Sequence, residues 1–236
     1  MVDLTLNARP TGHRLGIFGG TFDPPHLGHV AIACDVRHRL QLDVVLFVVA
    51  NDPWQKSSVK EVTSPSLRLA MVRAALKGFE GLRACTLEID RGGESSMVDT
   101  LTELKGVLPG PELFLIVGSD VASQLDTWRR PAEVELLATM VVVKRSGDDD
   151  AADSAAEAVS DIVGMVDDGT KGLLGDMTEG DDTNKGYIFL DDPISSVSST
   201  DIRTRYAEGR SVDELIPATV DGIIREHGLY GCKTSS

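Results

Sequence analysis

Residues 19–29 read Gly-Gly-Thr-Phe-Asp-Pro-Pro-His-Leu-Gly-His, a set of residue types suited to gripping a phosphate. Gly19 and Gly20 lack a β-carbon, so the backbone can turn sharply there and a ligand can approach its amides closely. Asp23 is a candidate helix N-cap, and Pro24 or Pro25 is preset for a first helical turn. A helix beginning at this point presents unpaired N–H groups and a positive dipole end, and both attract anions. His26 and His29 are three apart and share one helix face. Two imidazoles beside a phosphate can donate to its oxygens and stabilise developing charge without moving a proton. Phe22 reads as core packing. Singly, a Gly-Gly turn or a histidine at a helix start also serves as plain structure; the combination favours a binding site.

A second cluster lies far along the chain. Ser198, Ser199 and Thr200 precede a helical pattern from Ile202 to Tyr206, so one hydroxyl caps that helix. Its first amides and the guanidinium of Arg203 favour phosphate, which arginine engages through two donors. The same residues also fit an ordinary capped helix with a solvated arginine. Gly118-Ser119-Asp120 follows the apolar run Leu113 to Val117, at the end of a strand where open α/β sheets bind ligands; a plain loop is the other reading. Trp128 fits either a ring-stacking role or a partly buried core position. Lys56 fits either a ligand contact or the surface.

The stretch Gly20 to His29 resembles the signature of the HxGH nucleotidyltransferase superfamily. Val197-Ser198-Ser199-Thr200-Asp201-Ile202-Arg203 resembles a second signature, Ile-Ser-Ser-Thr-x-Ile-Arg, found in bacterial nicotinate-nucleotide adenylyltransferases. Pro53-Trp54-Gln55-Lys56, Asp90-Arg91-Gly92-Gly93 and Gly118-Ser119-Asp120 with Thr127-Trp128 fall in that family's order. The resemblance spans about residues 14–230 apart from an acidic insert. It implies a Rossmann-like nucleotidyltransferase fold and transfer of AMP from ATP, accompanied by Mg²⁺, to nicotinate mononucleotide. On that resemblance His26 and His29 contact the reacting phosphates, with Gly19, Gly20 and Thr21 on the ATP side. Ser199, Thr200 and Arg203 hold the outer phosphates, and Gly118 and Asp120 contact the adenosine. Trp128 stacks on the pyridine ring and Lys56 lies near the mononucleotide. No protein-bound metal site is expected, since Mg²⁺ on phosphate oxygens completes its shell with water rather than with a protein cage.

The chain departs from the family at one place. A Tyr-Thr pair that helps recognise the nicotinate carboxylate is expected shortly after Gly93, and Ser96 and Met97 stand there instead. The methionine side chain has no hydrogen to donate to a carboxylate. Another small phosphate ester, such as nicotinamide mononucleotide, is therefore an alternative acceptor. A catalytically silent nucleotide sensor is the alternative in a different class.

Apolar runs at 14–18, 43–50, 83–89, 112–117, 139–143 and 187–190 read as strands. Several are continuous, as strands covered on both faces require. Helical patterns fall between them at about 28–40, 65–77, 97–107 and 131–138, and Pro217 to His227 forms a small C-terminal helical part closed by Gly228. The alternation predicts an α/β, doubly wound parallel sheet. We expect one domain over 1–236, interrupted by an acidic insert at about 146–185 in which 155–166 is a candidate helix.

The net charge of −14 is concentrated in that insert. Residues 148–185 hold ten Asp and two Glu against two Lys, a local net of −10 that leaves −4 for the rest. An acidic chain repels nucleic acid, so no polynucleotide partner is expected. No run approaches ~18 apolar residues, so no membrane span is expected. Residues 1–13 show neither a basic start nor an apolar core of the kind a secretory leader carries. Cys34, Cys85 and Cys232 are scattered and odd in number, which fits a reducing, cytoplasmic setting and no zinc site, with Cys34 and Cys85 read as core. A homo-oligomer is compatible with this composition.

Overall fold

The computed structural model describes residues 13–53, 62–107, 110–144, 186–191 and 197–232. Lys56 and the acidic insert at 146–185, with its candidate helix, lie outside the described residues. Six strands form one sheet: β1 (Arg14–Gly20), β2 (Val44–Val49), β3 (Leu82–Cys85), β4 (Glu112–Gly118), β5 (Thr139–Lys144) and β6 (Tyr187–Asp191). Their order is β3-β2-β1-β4-β5-β6. The pairs β2–β3, β4–β5 and β5–β6 run parallel. The fold is therefore the expected doubly wound α/β sheet, whose strand order reverses direction at β1. All six residues of β2, and Leu113 to Val117 of β4, are buried. Burial of every residue, rather than alternate ones, is the mark of strands covered on both faces.

The helices between strands are α1 (Leu27–Arg39), α2 (Pro65–Ala75), α3 (Leu87–Arg91), α4 (Met97–Val107), α5 (Ser119–Ala122) and α6 (Pro131–Leu137), followed after β6 by α7 (Ser199–Glu208) and α8 (Ala218–Glu226). Short 3₁₀ turns occur at Leu125–Thr127 and Leu229–Gly231. No helix among the described residues is long and apolar enough to cross a membrane. The described residues gather into two compact units, one drawn from Phe18–Ser95 and Ile194–Ser236, the other from Arg9–Ile17 and Ser96–Pro193.

Two expectations are corrected here. The strand expected over 83–89 ends at Cys85, and Leu87–Arg91 is helical. Helical hydrogen bonds from Asp90 N to the Thr86 carbonyl (2.8 Å) and from Gly92 N to the Glu88 carbonyl (3.0 Å) win over the apolar run, and Gly92 at φ 71° closes the turn. Cys34 is exposed rather than core, whereas Cys85 is buried. The buried stripe of α1 is Gly28, Val30, Ile32, Ala33 and Val36, and position 34 falls off it.

Candidate active site

Gly19 and Gly20 do not form the expected sharp turn: they are the last two residues of β1, at the carboxyl end where α/β sheets bind ligands, and the chain leaves the strand at Thr21, with Phe22 at φ 50°. Phe22 is 3% exposed, as expected for a core residue. Its ring lies under Gly20, where an added β-carbon would sit 2.9 Å from the ring edge. The second glycine is thus required by packing beneath it. Gly20→Ala is expected to cost about 1–3 kcal/mol through this clash, measurable as a lower urea midpoint at unchanged slope.

The first helix does not start as the sequence suggests. Its N-cap is His26, not Asp23. The Nδ1 of His26 accepts from the backbone N–H of His29 (3.3 Å), and the Nδ1 of His29 accepts from the backbone N–H of His26 (3.1 Å). The two rings stack with centroids 3.6 Å apart and 24° between planes. Phe22 meets His29 edge-on at 5.0 Å, which further fixes the second ring. This reciprocal cap has a chemical consequence. An imidazole nitrogen that accepts from an amide carries no proton, so the proton of each neutral ring resides on Nε2. Both histidines are set as Nε2–H donors.

The expectation that the helix amides themselves are unpaired is met only in part. Leu27 N donates to the Leu215 carbonyl (2.9 Å), and His29 N to the His26 carbonyl (3.0 Å). The Leu27 amide is thus committed within the protein, and the imidazoles are the other donor-bearing groups at this helix start.

The second motif docks directly on the first. Ser198 caps α7, accepting from Asp201 N at 3.1 Å. Ser199 Oγ donates to the Pro24 carbonyl (2.8 Å), and Arg203 Nη1 donates to the Asp23 carbonyl (2.7 Å). Arg203 Nη2 donates to Thr200 Oγ1 at 3.1 Å, which orients the guanidinium from its own helix. The amides of Ser199 and Thr200 occupy the first two helical positions, where α7 itself offers no acceptor. Residues separated by 175–180 positions are thereby joined into one cluster of donors.

Three residues hold this cluster together: Asp23, whose expected capping role the structure corrects, and Arg68 and Tyr230, which sequence reasoning missed. Asp23, freed from the capping role, is 7% exposed and accepts from Tyr230 Oη (2.5 Å) and Thr63 N (3.2 Å). Arg68 is 1% exposed and donates to the carbonyls of Thr63 (2.7 Å), Thr21 (2.9 Å) and Asn51 (3.1 Å). One guanidinium thus ties together the loop after β1, the loop after β2 and the start of α2. Burial pulls its pKa down, and the charges of Asp23, Asp52 and Glu88 pull it back up. A signal for Arg68 was present: it shares the buried face of α2 with Val72 and Ala75 at helical spacing. Nothing local in the sequence marks Tyr230.

Gly118, Asp120 and Trp128 belong to the other unit. Gly118 ends β4, and an added β-carbon there would fall 2.5 Å from Asp120 Oδ1, so the glycine lets the carboxylate fold back over the strand end. Asp120 is exposed and Trp128 is half-buried, with its backbone N–H on the Leu125 carbonyl at 3.0 Å. Ser96 is buried and Met97 opens α4.

The donors gathered in the first unit are imidazoles, hydroxyls, amides and one guanidinium. That set suits phosphate oxygens, whereas Mg²⁺ takes oxygen ligands and retains water. Among the described residues no group of three His, Cys, Asp or Glu could hold a metal ion.

The structure thus brings together the two motifs by which the sequence resembles nucleotidyltransferases, His26 with His29 and Ser199-Thr200 with Arg203. The sequence pattern of the cytidylyltransferase-like family matches residues 17–205, and the chain belongs to that family. A relative from Dehalococcoides mccartyi, named probable nicotinate-nucleotide adenylyltransferase, is 36% identical over 92% of this chain and 97% of its own. One of the same name from Halalkalibacterium halodurans is 34% identical over 92% of this chain and 91% of its own. A solved structure of Plasmodium falciparum nicotinic acid mononucleotide adenylyltransferase complexed with NaAD superposes with a TM-score of 0.71 at 15% identity, covering 94% of this chain and all of that one. At that identity the likeness concerns the fold alone.

Proposed function

We propose that the protein transfers the AMP moiety of ATP to nicotinate mononucleotide, forming deamido-NAD and pyrophosphate, a step of NAD biosynthesis. One observation carries this reading: Ser199 and Arg203 dock on the carbonyls of Pro24 and Asp23, a few residues from the paired imidazoles. The names of the relatives support the choice of acceptor.

The nucleophile is the 5′-phosphate of the mononucleotide, already an anion, so no strong general base is required. It attacks the α-phosphorus of ATP in line, the new P–O bond forms as the bond to the β-phosphate oxygen breaks, and pyrophosphate leaves with that electron pair. Catalysis then consists of positioning two anions and stabilising charge on the phosphoryl oxygens. His26 and His29 donate through Nε2–H to the α- and β-phosphates. Arg203, with the amides of Ser199 and Thr200, holds the leaving group. Gly19, Gly20 and Thr21 let the backbone come close to ATP. Gly118 and Asp120 take the adenosine side, Trp128 stacks on the pyridine ring, and Lys56 lies near the mononucleotide; these roles rest on the motifs they occupy. Bound to the triphosphate, Mg²⁺ neutralises part of its charge.

Ser96 and Met97 favour a second reading, with nicotinamide mononucleotide as acceptor. The test is pyrophosphate release and product mass from Mg-ATP with each mononucleotide in turn. The proposal expects deamido-NAD to form at least tenfold faster than NAD. The reverse preference establishes the second acceptor, and absence of pyrophosphate with every mononucleotide overturns both.

A further inference from the structure

We infer that Tyr230, near the end of the chain, is a positioning residue for the AMP transfer: through Asp23 it fixes where the histidine pair and Arg203 stand. The inference rests on reading this cluster as the transfer site.

Asp23 receives contacts from three segments remote from it in sequence. Tyr230 Oη donates to its Oδ1 (2.5 Å), Thr63 N donates to its Oδ2 (3.2 Å), and Arg203 Nη1 donates to its backbone carbonyl (2.7 Å). Thr63 Oγ1 also donates to Tyr230 Oη at 3.4 Å, which closes a ring of hydrogen bonds around the carboxylate. A buried carboxylate must be hydrogen-bonded, and Tyr230 supplies its side-chain donor. Burial and the nearby Asp23 charge push the tyrosine pKa well above its ordinary value, so the hydroxyl stays protonated and donating.

The backbone of Tyr230 supports a role beyond filling space. It sits at φ 57°, ψ 28°, in the left-handed region that a bulky residue seldom adopts. Such a conformation persists only where surrounding contacts over-determine it. Here these are the bond to Asp23 and the ring of Tyr206, at 6.2 Å between centroids. Movement of Asp23 has a short, stiff route to the chemistry. Only Pro24 and Pro25, each with a fixed φ, separate it from His26. Its carbonyl is the support on which Arg203 rests. Without the Tyr230 hydroxyl the carboxylate must turn or recruit water, and both ends of the donor cluster shift.

The molecule contains its own control. Tyr206 Oη donates to Asp221 Oδ1 at 2.5 Å, the same chemistry at the same length, on a carboxylate that carries no site residue. Three variants are compared with wild type in the AMP-transfer assay: Tyr230→Phe, Tyr206→Phe and Asp23→Asn, the last also combined with Tyr230→Phe. We expect Tyr230→Phe to lower kcat at least tenfold with KM for the mononucleotide within threefold. Tyr206→Phe should keep kcat within twofold while lowering Tm. Adding Tyr230→Phe to Asp23→Asn should change kcat less than twofold. The inference is overturned if Tyr230→Phe keeps wild-type kcat, if Tyr206→Phe loses as much, or if the two losses at Asp23 and Tyr230 multiply. Should Tyr230→Phe not fold, hydrogen exchange on wild type decides: bound deamido-NAD should slow exchange at Leu229–Gly231, and unchanged exchange overturns the inference. A wild-type protein inactive with every mononucleotide defeats the functional reading itself, whereas an active wild type matched by Tyr230→Phe defeats only the role of Tyr230.

Discussion

Replacing His29 by asparagine is expected to lower turnover by about 10²–10³-fold while leaving stability nearly unchanged. The reciprocal cap explains why asparagine is the informative substitution. Its Oδ1 stands where the histidine Nδ1 stood and can still accept from His26 N, the contact now made at 3.1 Å. What disappears is the Nε2–H donor, and with it one hydrogen bond to the oxygens on which charge builds. Glutamine makes the opposite exchange. Its amide nitrogen reaches the place of Nε2, but nothing is left at the Nδ1 position to cap the helix. His29→Gln should therefore retain more turnover than His29→Asn and lose about 1 kcal/mol of stability, the order of one capping hydrogen bond, here the one from His26 N. Steady-state kinetics paired with thermal melts of the two variants separate the functions. The opposite ranking in both measurements would contradict the assignment of the ring protons.

The second large effect concerns stability. Arg68→Met should cost about 3–5 kcal/mol, because three part-buried carbonyls lose their donor and Asp23 loses a positive charge that interacts with it. Against a total of about 5–15 kcal/mol for a typical domain, that is a large fraction. The carbonyls of Thr63, Thr21 and Asn51 come from three separate segments, so a lysine, with one nitrogen, cannot reach all of them. Arg68→Lys should thus recover only part of the loss. Urea titrations of both variants decide the matter, and an unchanged midpoint for Arg68→Met would show that the guanidinium does not bind these loops together.

Much of the site was legible because its chemistry is local. His26 and His29, or Ser199, Thr200 and Arg203, are short strings whose residue types and spacing suggest a phosphate site without knowledge of the fold, and the structure brings the two strings together. The sheet was legible for a similar reason, since β2 and β4 are unbroken apolar runs. Asp23 was misread because two cap signals compete within four residues. The Asp-Pro-Pro string looks like a helix entry, but His26 and His29 satisfy each other's amides and start the helix at Leu27. The true partners of Asp23 lie 40 and 207 positions away, so no local pattern points to them. Arg68 was readable in principle, as a charged residue on an otherwise apolar helical stripe. The end of β3 was misplaced because Leu87 and Ile89 extend the apolar run, while the hydrogen bonds that turn it into α3 depend on Gly92 at its close. Cys34 was misjudged by residue type alone, where its angle on α1 decides exposure.

The claim at the centre is that one cluster, the stacked histidines with the Arg203 group docked on the Asp23 carbonyl, moves AMP from ATP to a pyridine mononucleotide. The most direct measurement follows deamido-NAD and pyrophosphate, formed from Mg-ATP and nicotinate mononucleotide, by mass spectrometry for wild type and for folded His29→Asn. The account predicts equimolar products from wild type and a rate about 10²–10³-fold lower from the variant at nearly the same melting temperature. Equal rates from the two proteins would contradict it.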